Sequence, residues 1–108
     1  MNFEDTVAIY DALVAQCPDF DRKGKSMIYT SANGYMFSMV NKAGEMGIRL
    51  PKDVAEKFNT EYDTGAYKSH GATMRDYVHI PEDLLTNDAV LIDLLNQSYA
   101  HVVNLPPK

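Results

Sequence analysis

The sequence predicts an α+β domain: an antiparallel β-sheet with an N-terminal helix, a short middle helix and a C-terminal helix packed on one face of it. Three observations carry this. The elements run helix, three strands, helix, one or two strands, helix, with no strand–helix–strand alternation to build a doubly wound parallel sheet. Ala32-Asn33-Gly34 lies between two runs rich in aromatic and β-branched residues, and Asn-Gly is a tight-hairpin signal. The first and last segments carry apolar residues at helical spacing.

The elements follow in order. In FEDTVAIYDALVAQC, residues 3 to 17, Phe3, Val7, Tyr10, Val14 and Cys17 recur at three and four residues, flanked by Ile9 and Leu13. Glu4 and Asp5 suit the positive end of a helix dipole, and Pro18 closes the segment. PDFDRKGK reads as a loop. SMIYTS and YMFSMV are strands, NKAGE is a turn, and MGIRL is a third strand, so a three-stranded meander is expected. Pro51 opens a short helix with Val54, Phe58 and Tyr62 on one face. DTGAYKSHGA holds a brief strand around Ala66 to Lys68, and TMRDYVHI is the last strand. PEDLL makes a helical turn after Pro81. NDAVLIDLLNQSYAHVV is the final helix, capped by Asn87 or Asp88, with Val90, Leu91, Leu94, Leu95, Tyr99 and Val102 as its apolar face. LPPK is an extended tail.

At 108 residues the chain is one domain, residues 1 to 108, large enough to bury a core without metal or disulfide. The mix of 45% hydrophobic and 23% charged residues is that of an ordinary globule. A formal net charge of −5, from 15 acidic and 10 basic residues, argues against a dedicated nucleic-acid binder. Cys17 is the single cysteine, so no internal disulfide is available. The first residues, MNFEDTVAIYDALV, have no basic leader region, and no apolar run approaches the length of a membrane span. A soluble, cytoplasmic protein is expected.

Chemical motifs are few. His70, His79 and His101 are widely spaced and no CxxC or HxxxH pair exists, so no metal site is predicted. Cys17 follows a helix C-terminus, whose negative dipole end opposes a thiolate, and reads as a core residue. The glycines at 34, 44, 47, 65 and 71 are spread over separate turns or bulges and make no phosphate loop. The acidic residues show no pairing for acid–base work. No cofactor is predicted. Met27, Met36, Met39, Met46 and Met74 lie in or near strands and read first as core, with an adaptable binding surface as the sharper alternative.

One pattern stands out. In GATMRDYVHIP, residues 71 to 81, polar and apolar residues alternate. Arg75, Tyr77 and His79 are predicted on one side of a strand, Met74, Val78 and Ile80 on the other, with Asp76 the odd member. Arg49 shares that face if MGIRL joins the same sheet, and Tyr35, Phe37 and Met39 alternate along the second strand nearby. Arg49, Arg75, Tyr77 and His79 form the candidate interaction face. It reads as the solvent side of a sheet or as a docking surface, since Arg, Tyr and Met are enriched in interface cores.

KSMIYTSANGYMFSMV, GEMGIRLP, GATMRDYVHIP and the tail LPPK, taken together, resemble the TfoX N-terminal domain family. Met36 and Phe37 match that family's Met-Phe hairpin position. Met74, Arg75, Tyr77, Val78 and Pro81 match its Pro-Met-Arg-x-Trp/Tyr-Val-x-x-Pro strand. The likeness covers nearly the whole chain. It departs at Met27-Ile28-Tyr29-Thr30, where the family has a glycine-containing segment, and at Thr73, where it has proline. The resemblance implies a curved antiparallel sheet with flanking helices. It also implies a non-enzymatic regulatory role: the family's named members act on natural competence genes in bacteria, beside a cyclic-AMP-responsive transcription activator. Those regulators carry a second domain, for which 108 residues leave no room, so a single-domain member is expected. The predicted partner is a protein or a second copy of the chain, with no direct nucleic-acid contact. The alternative reading is a small-molecule-binding or enzymatic domain with a pocket between the sheet and the C-terminal helix.

Overall fold

A computed structural model describes residues 2–69 and 71–108. The elements are α1 (Phe3–Val14), β1 (Ile28–Ala32), β2 (Tyr35–Val40), β3 (Met46–Arg49), α2 (Lys52–Tyr62), β4 (Ala66–Ser69), β5 (Ala72–His79), a 3-10 turn (Glu82–Thr86) and α3 (Asp88–Val103). The strands form one antiparallel sheet in the order β1-β2-β3-β5-β4. The α+β class and the β1–β3 meander stand as the sequence predicts, and the last strand joins the meander at β3.

Local chemistry explains the boundaries. Asn2 caps α1, its Oδ1 accepting from Asp5 N at 2.8 Å. The helix stops at Val14, three residues short of the predicted end. There the backbone tightens into Gln16 N–H to Leu13 O and Cys17 N–H to Val14 O bonds, so Cys17 is buried beyond the helix proper. Asn33 and Gly34 both take positive φ, 56° and 83°, the two left-handed positions of a tight hairpin turn. Asn87 caps α3 through Val90 N.

All the helical elements lie on one side of the sheet. Tyr10, Leu13 and Val14 of α1, Ala55 and Phe58 of α2, Leu84 and Leu85 of the turn, and Leu91, Leu95 and Val102 of α3 share one buried cluster. The sheet supplies Ile28, Phe37, Val40, Met46, Ile48 and Val78 to it. Within this layer the Ser38 hydroxyl meets those of Tyr10, at 2.6 Å, and Thr30, so three buried hydroxyls satisfy one another. Between α3 and the sheet, Ser98 donates to Phe37 O, and the Phe37 ring packs edge-on against Phe20 and Tyr99, which stack on each other.

Two irregularities break the strand period. The β1–β2 register steps from Thr30↔Ser38 to Ser31↔Met36, so Phe37 is an extra residue in β2. Phe37 and Ser38 therefore both face the helices, and Met36 takes the opposite face. In β5, Asp76 adopts φ 65° while its carbonyl accepts from Leu50 N. Both sheet edges are partly occupied. Lys23 exchanges backbone hydrogen bonds with Tyr29 on β1, and Asn41 Nδ2 donates to Lys68 O on β4 at 2.7 Å.

The last residues are tied down. Asn33 Nδ2 donates to Val102 O and Leu105 O at 2.9 and 2.8 Å, the Tyr35 hydroxyl donates to Pro106 O, and Lys108 N donates to Asn33 O. The predicted extended tail thus runs against the β1–β2 turn.

Candidate functional site

The sheet face away from the helices is covered by none of them. Strand pairing sets what stands on it: Tyr29 opposite Met39, Met39 opposite Gly47, Gly47 opposite His79, and Arg49 opposite Tyr77. A second, smaller cluster forms here. Met39, Tyr67 and Tyr77 are buried at its centre, with Tyr29, Met36 and Met74 half-buried around them.

Tyr67 reaches across this face. From the edge strand β4 its ring crosses to β3 and lies directly over Gly47, where a Cβ would stand 2.6 Å from the ring carbons. Its hydroxyl donates to Glu45 O at 2.9 Å, and its ring stacks on Tyr77 at 6.0 Å and 18°. Tyr77 donates in turn to Met36 O at 2.7 Å. The glycine that reads as a turn residue is thus a strand residue kept bare for a ring.

The predicted stripe is only partly brought together. Tyr77 and His79 share this face with Arg49, as expected. Arg75 does not. Met74 and Tyr77, three residues apart, sit in the same cluster, so the left-handed residue Asp76 shifts the alternation by one and turns Arg75 off the face. Phe37 also leaves the predicted set for the core, through its bulge, and Met36 replaces it. Nor is Tyr77 a wet residue: it is 8% exposed. His79 is half-buried, its Nε2 3.6 Å from Glu45, beside a cavity of about 310 Å3 that also meets Met46, Ile80, Pro81 and Leu85. His70 lies outside the described residues.

At the end of the sheet that carries the β1–β2 turn, Arg49 and Lys108 both approach the Tyr35 ring, at 5.4 and 5.3 Å. The Nε of Arg49 is buried, and among the described residues nothing hydrogen-bonds it.

Burial sets the acid–base character of the interior. It pushes the Cys17 thiol up, with Asp19 adding to the effect, so the thiol stays protonated. It pushes the Tyr10 phenol up to about 12. It raises Tyr67, with Glu45 reinforcing, and Tyr77, where Arg49 opposes the shift. A phenol raised in the folded state favours folding while it is neutral. That stability is fully present below the unfolded value of 10.0 and is lost as pH climbs through the folded value. Urea midpoints measured from about pH 9 to about pH 12 will hold and then fall, and Tyr10→Phe will make the fall shallower. A flat profile would contradict the burial of these hydroxyls.

Among the described residues, no group of three His, Cys, Asp or Glu side chains is placed to hold a metal ion, and no helix is long and apolar enough to cross a membrane. No protein-family model and no curated protein matches this chain.

Proposed function

We propose that the chain is a small non-enzymatic protein-interaction domain of the TfoX N-terminal kind, serving transcriptional regulation, and that it docks its partner on the uncovered face of the sheet. One observation carries this reading. A face with no helix over it is built from Tyr29, Met36 and Met74 around buried Met39, Tyr67 and Tyr77, with Arg49 and His79 at the sides. Aromatic residues, Met and Arg are the types that interface cores favour, and Met adapts to irregular partners. Docking by strand addition is less supported, since Lys23 and Asn41 already bond both edges. The alternative of a ligand pocket under α3 is less supported too, because Leu95, Ser98 and Val102 fill that interface and are fully buried.

Affinity capture from a bacterial lysate tests this. Wild-type bait will retain a protein that a Met36→Glu/Met74→Glu bait loses, with both baits folded by circular dichroism. Capture of the same proteins by both baits would sink the reading. If the protein lost is a transcription activator, the regulatory part stands; a protein of another class removes that part and leaves the docking face.

A further inference from the structure

We infer that the docking face takes an acidic peptide segment of its partner, with a carboxylate seated on the Arg49 guanidinium beside Tyr35 and Lys108. This rests on the interaction reading above and names the partner's chemistry.

The first observation is where the charges lie. The helical elements hold ten acidic residues and two basic ones, Lys52 and Lys57. The strands hold one acidic residue, Asp76, and three basic ones, Arg49, Lys68 and Arg75. The whole excess of negative charge is therefore on the helical layer, and of the charged strand residues Arg49 is the one that stands with Tyr77 on the open face. Complementary fields select partners and set their orientation, so an acidic segment is attracted to the sheet and repelled by the helices.

The second observation is Arg49 itself. A buried guanidinium nitrogen without a partner is unfavourable, and Nε of Arg49 is in that position among the described residues. The two outer nitrogens of the fork are not among the buried unpaired atoms, so they remain open to a ligand. A guanidinium fork matches a carboxylate with two parallel hydrogen bonds. Lys108 brings a second cation to the same ring of Tyr35, and among the described residues neither cation has an ion-pair partner. Met36, which follows Tyr35 in β2, and Met74 are half-buried around Tyr77, the cross-strand partner of Arg49, and offer apolar contact. An acidic residue with a neighbouring large apolar one fits the arrangement.

A nucleic acid fits less well. Its phosphates repeat every ~3.4 Å along each strand of a duplex, so a strand running past this corner meets the acidic remainder of the domain. A short peptide meets only the corner.

The test uses the full chain and three labelled probes in fluorescence anisotropy at low salt. They are a ten-residue peptide alternating glutamate and leucine, the same peptide with glutamine for glutamate, and a single-stranded oligonucleotide. The acidic peptide will bind, with amide NMR shifts centred on Tyr35, Met36, Arg49 and Tyr77, and the glutamine peptide will bind about tenfold more weakly. Arg49→Gln will remove the difference between the two peptides, and Arg49→Lys will restore part of it; thermal melts confirm that both variants fold. Equal binding of the two peptides, no binding of either, or tighter binding of the oligonucleotide would overturn the proposal. So would self-association that blocks the face in sedimentation, since the occupant would then be a second copy. If the Met36/Met74 variant still loses a captured protein while the acidic peptide fails, the docking face survives and only its acidic preference falls.

Discussion

Tyr67→Ala will destabilise the domain by about 3–5 kcal/mol, the range for deleting a large buried ring. Tyr67 is 1% exposed, so nearly all of its ring contact is lost. The change also removes the hydroxyl that Glu45 O accepts from, and the stacking partner of Tyr77. Gly47→Ala will cost about 1–3 kcal/mol, because its new methyl overlaps the same ring. The decisive result is their combination. Once Tyr67 is alanine, the clash has no partner and the glycine also gives up its unfolded-state entropy, so Gly47→Ala becomes neutral or stabilising. A double-mutant cycle by urea denaturation reads this coupling. Additive effects would mean that the ring does not lie over Gly47.

Phe37→Ala will cost a similar amount, about 3–5 kcal/mol, while the neighbouring Met36→Ala will cost about 1 kcal/mol. Phe37 is fully buried, with its ring 5.0 Å from Phe20 and 6.0 Å from Tyr99, whereas Met36 is half-buried on the open face. The contrast tests the bulge directly. Simple alternation along β2 puts Phe37 beside Met39 and sends Met36 inward. A larger loss at Met36 than at Phe37 would place the extra residue elsewhere. Should Phe37→Ala be too unstable to purify, Phe37→Leu against Met36→Leu asks the same question with smaller losses.

These cases show what the sequence makes legible. Asn33-Gly34, the Pro51 helix start and the Asn87 cap are local signals, and each sits where its residues demand. The apolar stripe of α3 is legible for the same reason, since a 3.6-residue period needs no partner to be seen. Phe37 and Asp76 are different. A bulge adds one residue without any required side chain, and aspartate in a strand looks like an ordinary polar position until its φ is known. A single such residue reverses every face assignment before it, which is why Arg75 separates from Tyr77 and His79. Gly47 is opaque for another reason: what fixes it is a tyrosine twenty positions further along, on a strand two places away in the sheet. Of the candidate face, Arg49, Tyr77 and His79 are found together because they follow the plain pairing of β3 with β5. The charge division between layers was present in the composition but has no meaning until the elements are assigned to sides.

The bonds from Asn33 and Tyr35 to residues 102–108 also bear on how the chain is made. The first hairpin can form as soon as Val40 has left the ribosome, but its turn is not anchored until the final helix and the tail have been synthesised. Until those residues emerge, Asn33 and Tyr35 lack the carbonyl partners that hold the turn. Residues 102–108 are the clasp for strands made about seventy residues earlier, so a ribosome halted before residue 102 leaves a nascent chain whose hairpin turn is still open to proteases and chaperones.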